Sequence, residues 1–110
     1  MDQTMLQIVA TECDQDCEER FNQWYNDVHV PMLFKYPGLK KVTRYRILGE
    51  AEGQPTYLAL YEYASPAALE GMQTSEEFKA AMEEMQQSWP SGGFGIKYAV
   101  VYEGIKTWER

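Results

Sequence analysis

Residues 56–63 read Thr-Tyr-Leu-Ala-Leu-Tyr-Glu-Tyr, and their alternation decides the fold. A run this rich in aromatic and aliphatic side chains, with no glycine or proline inside it, is a strand. Successive side chains point to opposite sides of a strand. Tyr57, Ala59, Tyr61 and Tyr63 therefore share one face, and Leu58, Leu60 and Glu62 share the other. Both faces are largely apolar. A sheet covered by helices on one side only should leave its other face polar. Two apolar faces require a cover on each side.

Working outward, residues 40–48 (KKVTRYRIL) form the preceding strand, and the polar, glycine-bearing residues 49–55 connect the two. Further upstream the period changes. From Glu18, the residues Phe21, Trp24, Tyr25, Val28 and Met32 recur at spacings of three and four, the pattern of an amphipathic helix. Pro31 has no N–H to give the Asp27 carbonyl, so the helix should kink or restart there, and Pro37-Gly38 ends it. Residues 4–11 (TMLQIVAT) read as the first strand, with Asp14 or Asp16 as a helix cap after it.

Downstream, Ser65-Pro66 reads as an N-cap followed by proline at the first helical position, opening a short helix to about residue 73 with Leu69 and Met72 inward. Thr74-Ser75-Glu76-Glu77 matches a capping box, and Phe78, Ala81, Met82 and Met85 form the buried stripe of another helix. Residues 89–95 are a turn-rich loop. Residues 96–108 contain a last strand, with Tyr98, Val100 and Tyr102 alternating against Ala99, Val101 and Glu103. The order is β-α-β-β-α-β, an α+β ferredoxin-like unit with a four-stranded antiparallel sheet and helices on one face. The 110 residues suit a single domain. The sheet's other face is then left for a partner, and a symmetric homodimer covers it most simply.

The chain is 45% hydrophobic and 25% charged, which is ordinary for a globular protein. Its net charge of −7 opposes phosphate backbones and anionic membrane surfaces. The densest basic cluster, Lys40, Lys41, Arg44 and Arg46, is broken by apolar residues and belongs to a strand, so neither nucleic acid nor membrane is an expected partner. No stretch approaches the ~20 apolar residues of a membrane span. Residues 1–10 carry no charged, apolar leader pattern, and a cytoplasmic location is the expectation. Cys13 and Cys17 have no second histidine near them to complete a metal site, since His29 is the chain's one histidine; two ordinary thiols are expected, with redox or soft-metal chemistry as the alternative. Gly92-Gly93-Phe94-Gly95 precedes a strand and is a poor phosphate cradle. No nucleophile, dinucleotide or zinc motif is present, and no cofactor is expected. The pairs Glu18-Glu19 and Glu83-Glu84 read as solvated helix faces.

The segment Phe21-Asn22-Gln23-Trp24-Tyr25-Asn26-Asp27-Val28-His29-Val30-Pro31, with Met32-Leu33, Pro37-Gly38-Leu39 and Arg44-Tyr45 after it, is similar to the pattern F-N-x-W-Y-x-x-x-H-x-P-x-L…P-G…R-Y of EthD-like proteins. The resemblance covers roughly residues 5–105, and its W-Y-x-x-x-H-x-P core is the specific part. It implies a dimeric α/β barrel, with two sheets face to face and helices outside. The wider superfamily includes oxygenases, cyclases, isomerases, dehydratases, lyases and haem-degrading enzymes, so fold does not fix function.

His29 is the leading catalytic candidate, as a general acid or base, with Tyr25 one helical turn away orienting a substrate or supplying a second proton. Phe21 extends the same line, and Trp24, pointing about 100° from Tyr25, packs on the sheet or touches the substrate. A histidine near a helix C-terminus would equally satisfy free carbonyls. Arg44 could anchor a carboxylate or enolate oxygen, or pair across the sheet. Its strand neighbours on the same face are Val42, Arg46 and Leu48. Tyr57, Tyr61, Tyr98 and Tyr102 could present hydroxyls to a pocket or to a dimer interface. These features point to a cofactor-independent enzyme moving protons on an apolar or aromatic carbonyl compound: an isomerase, cyclase, dehydratase or lyase. The alternatives are a non-catalytic dimeric binding or accessory protein and a haem- or quinone-type monooxygenase.

Overall fold

The computed structural model describes residues 4–110. The start of the stretch read for a targeting signal, residues 1–3, lies outside them. β1 (Met5–Cys13) leads through a 3₁₀ turn (Gln15–Cys17) into α1 (Glu18–Trp24). A π-helical turn (Tyr25–His29) and the short α2 (Val30–Leu33) continue that helix. β2 (Leu39–Arg46) and β3 (Tyr57–Tyr63) follow, then α3 (Pro66–Met72), α4 (Glu76–Ser88) and β4 (Phe94–Glu103). The strands form one four-stranded antiparallel sheet in the order β2-β3-β1-β4. This is the ferredoxin-like α+β arrangement. Among the described residues no helix is long and apolar enough to cross a membrane.

The register tells the two faces apart. Val9 pairs with Ala59 and Ala99, and Gln7 with Tyr61 and Val101, so these residues share one side. Val42, Arg44 and Arg46 join it through Tyr61, Ala59 and Tyr57. This is the side the helices cover. Phe21, Tyr25, Tyr57, Tyr61 and Tyr63 are buried there with Trp89 and Ala81. The opposite side carries Leu6, Ile8, Leu58, Leu60, Val100 and Tyr102, and among the described residues no helix lies on it. The two candidate tyrosine pairs are thus divided: Tyr57 and Tyr61 face the helices, whereas Tyr98 and Tyr102 belong to the open side. Glu12 ties the sheet together at one end, where its carboxylate accepts from the Thr56 N–H and the Thr56 hydroxyl, each at 2.7 Å.

Several local expectations shift. β1 runs two residues past 11, and β2 stops at Arg46, so Leu48 stands exposed beyond the strand and shares no face with Arg44. β4 begins at Phe94, inside the expected loop, and residues 104–110 follow it without regular structure. Asp14 takes the N-cap position of the 3₁₀ turn without a side-chain bond, and α1 itself follows Cys17, which makes none either. Ser65 caps α3 as expected, its hydroxyl accepting from Ala68 N–H at 3.1 Å. α4 starts one residue later than the Thr74 capping box requires. Ser75 is its N-cap, accepting from Phe78 N–H at 3.1 Å, which leaves a phenylalanine where the box needs a glutamate. Gly92 and Gly93, at φ +81° and +120°, turn the chain tightly into β4, and a Cβ on Gly93 would meet the Trp89 ring at 3.0 Å. That close approach, and not phosphate binding, is what these glycines allow.

Candidate functional site

The proline at position 31 shapes the site. It falls at the start of α2, inside the continuous helix that the π turn carries from α1 to α2, so its missing N–H and its ring have to be accommodated by the turn before it. The helix accommodates it by widening the turn before it: the Val30 N–H reaches back five residues to the Tyr25 carbonyl. The expected kink is therefore a π turn placed ahead of Pro31. Wide turns of this type are frequent at functional sites. In a regular helix Trp24 and His29 would point about 140° apart. Here their rings stack, with centroids 4.7 Å apart and planes 23° from parallel. The Tyr25 ring meets His29 edge-on at 5.0 Å. Trp24 and Tyr25 thus both border one space, which their separation on a regular helix argues against.

That space is a cavity of about 220 Å³ between the helices and the covered side of β1, β3 and β4. Trp24, Tyr25 and His29 line it from the π turn and the helix before it, Tyr61 and Tyr63 from β3, and Gln7, Val9 and Thr11 from β1. Leu69, Met72, Phe78, Met82 and Met85 contribute the apolar wall from α3 and α4. Ile96, Ala99 and Val101 of the edge strand complete it and are themselves exposed, so the cavity opens along β4.

His29 is only 6% exposed, and its Nδ1 is buried with no hydrogen-bond partner among the described residues. Burial pushes its pKa down from 6.5 to about 4; the Glu84 charge opposes this and the Arg44 charge adds to it. The imidazole is therefore neutral near pH 7. The Tyr25 and Tyr61 hydroxyls share a buried hydrogen bond of 2.5 Å. Burial raises both phenol pKa values, that of Tyr61 well above the ordinary value. Burial likewise takes Tyr63 up to about 12.

The remaining candidates sit elsewhere. Phe21 is completely buried among Trp24, Tyr25, Tyr57 and Phe94 and does not border the cavity. Arg44 lies behind Tyr25, its guanidinium carbon 4.3 Å from that ring's centroid, and donates to Asn26 Oδ1 at 2.8 Å. Its Nε and second terminal nitrogen are buried without partners among the described residues. Tyr61 and Trp24 do border the cavity.

Glu84 is the residue sequence reasoning missed. Read as part of a solvated helix face, it instead accepts from Trp24 Nε1 at 2.8 Å and from the Ser88 hydroxyl. It holds the indole against which His29 stacks. Glu18 is similarly engaged, accepting from the Tyr57 hydroxyl. Cys13 and Cys17 are free thiols whose pKa values are raised, first by burial and then by neighbouring acids. Asp14, Asp16 and Cys17 cluster within 4.8 Å, largely exposed and separate from His29.

A family model for DUF4286, described as a domain of unknown function, matches residues 4–103. The chain belongs to the DUF4286 family. No curated protein matches it in sequence. Among solved structures, this DUF4286 chain is similar to an EthD family protein from Bacillus halodurans, with a TM-score of 0.65 at 19% identity, over 96% of this chain and 99% of that one. It is similar to HapK from Hahella chejuensis with a TM-score of 0.74 at 12% identity, over 96% and 97%. A dimeric ferredoxin-like protein of unknown function from Thermobifida fusca gives a TM-score of 0.60 at 13% identity, over 94% and 92%. The EthD-like resemblance read from the sequence holds at the level of the fold. At these identities the DUF4286 chain shares an architecture with those proteins, and a shared architecture does not carry over an activity.

Proposed function

We propose that the chain is a cofactor-independent enzyme that moves a proton on an apolar or aromatic carbonyl compound bound in the 220 Å³ cavity. The observation that carries this reading is His29: a neutral, largely buried imidazole on the wall of a mainly apolar cavity, edge-on to the Tyr25 ring. His29 takes a proton from the carbon beside the substrate carbonyl and becomes imidazolium, leaving an enolate. Tyr25, itself hydrogen-bonded to Tyr61, donates to the enolate oxygen. The proton then returns to a different carbon, which is isomerisation, or to a departing hydroxyl, which is dehydration. The Glu84 charge, which favours the imidazolium, supports the first step.

A second reading is a non-catalytic binding protein. It is favoured by the low basicity of His29 and by two tyrosine hydroxyls that are bonded to each other. Exchange of α-protons in D₂O, followed by NMR on a panel of aromatic ketones, separates the two. A catalyst accelerates exchange, and His29→Ala loses about 10²-fold or more of it while still binding the ketone. Binding without exchange in the native protein leaves the binding-protein reading.

The single domain acts as a homodimer in this proposal. The open side of the sheet, with Leu6, Ile8, Leu58 and Leu60 at its centre, packs against the same side of a second copy to close an α/β barrel. The dimeric neighbour from Thermobifida fusca has the same fold.

A further inference from the structure

The cavity wall contains tyrosines, glutamines, a threonine and a neutral histidine, but no Asp, Glu, Lys or Arg among the residues that line it. The nearest charges do not border it. Arg44 stands behind the Tyr25 ring, bonded to Asn26 through one nitrogen and with its other two buried outside the cavity lining. Glu84 is taken by Trp24 Nε1 and the Ser88 hydroxyl. We infer that the ligand of this cavity is an uncharged aromatic molecule carrying hydroxyl or carbonyl groups, and that carboxylates, phosphates and ammonium compounds of the same shape are rejected. The inference rests on the reading of this cavity as the ligand site and narrows its substrate class.

An ion moved from water into this space would lose hydration and meet no counter-charge on the cavity wall. His29 does not rescue an anion. Burial pushes its pKa down to about 4, so it is neutral near pH 7. A neutral ligand meets no such barrier. Gln7, Thr11 and Gln73 offer hydrogen bonds to hydroxyl and carbonyl groups. Trp24 and Phe94 offer aromatic surface, and Met72, Met82 and Met85 a polarisable wall that adapts to a ring system.

The test uses matched bicyclic probes and the imidazole NMR signal of His29, which needs no assignment because the chain has one histidine. At pH 7.5, 2-acetylnaphthalene is expected to shift that signal with an affinity at least ~100-fold above that of 2-naphthoate or 2-naphthylmethylammonium. Comparable affinity for the carboxylate or the ammonium compound, or no response to the ketone, overturns the inference. Gln73→Arg places a cation at the exposed rim and is expected to strengthen 2-naphthoate binding at least ~10-fold. An unaltered 2-naphthoate affinity in that variant overturns the charge argument. Exchange of the ketone's methyl protons reads the catalytic proposal separately: tight ketone binding without exchange removes catalysis and leaves the ligand class standing.

Discussion

The indole of Trp24 lies against the imidazole of His29 five positions along the chain, centroids 4.7 Å apart, in a contact that a regular helix would not form. The same histidine is 6% exposed and keeps an unbonded nitrogen. Its environment sets its protonation, and its protonation contributes to how the fold responds to acid.

Between pH 6.5 and about 4 the unfolded chain binds a proton at position 29 that the folded chain does not. Stability is therefore complete above 6.5 and falls as the pH drops through that window, by about 3 kcal/mol from this one group. Urea unfolding at pH 7.5 and pH 4 should show a loss that is smaller by about that amount in His29→Phe than in the native chain. Identical pH slopes in the two proteins would mean that the imidazole is not sealed from water.

Glu84 should reveal itself through His29. Its negative charge favours the imidazolium, so Glu84→Gln should lower the His29 pKa below about 4 while a side-chain oxygen remains to accept from the Trp24 indole. Glu84→Ala should in addition loosen the indole, measurable as a red-shifted, more quenchable tryptophan emission. An upward movement of the His29 titration in Glu84→Gln would contradict the assignment.

The Tyr25–Tyr61 pair calls for a double-mutant cycle. Tyr25→Phe or Tyr61→Phe alone strands a buried hydroxyl and should cost about 1–3 kcal/mol. Removing both hydroxyls should cost clearly less than the sum, because no orphan remains. Additive single costs, read from urea midpoints, would show that the two hydroxyls do not depend on each other.

Leu60→Lys puts a charge at the centre of the open sheet face without touching the helix-covered side. Sedimentation should then report the monomer mass with far-UV circular dichroism unchanged, where the native chain is expected to report the dimer. A variant that stays dimeric would place the contact elsewhere.

Much of this architecture is legible in local pattern, because strands and amphipathic helices advertise their period. The alternation at 57–63 sorts its residues onto the two faces they occupy. It does not say which face the helices take, since Leu58 and Leu60 are as apolar as Ala59 and Tyr61. The site was partly legible. Tyr25 and His29 were visible as a spaced pair, but Pro31 announces only that a hydrogen bond is lost, not that the turn before it will widen. Glu84 was invisible because its role is set by Trp24, sixty positions away in the chain. Arg44 was legible as an anion anchor or as a pairing partner across the sheet, because strand position reveals a face but not the aromatic ring standing against it.

The wide turn at Tyr25–His29 also gives the helix one place that absorbs a change in chain length. It accommodates one residue more than a regular helix of that height. Losing a single codon from positions 26–28 would let the helix close to ordinary pitch, leaving Trp24 and the histidine four positions apart and about 40° from each other on one face. The pair would still meet. A codon lost from α1 ahead of Trp24, where no wide turn takes up the difference, would instead turn everything before it by about 100° against the pocket. A descendant gene could thus shed the wide turn and keep the site, through an in-frame deletion that a residue-by-residue comparison would score as damaging.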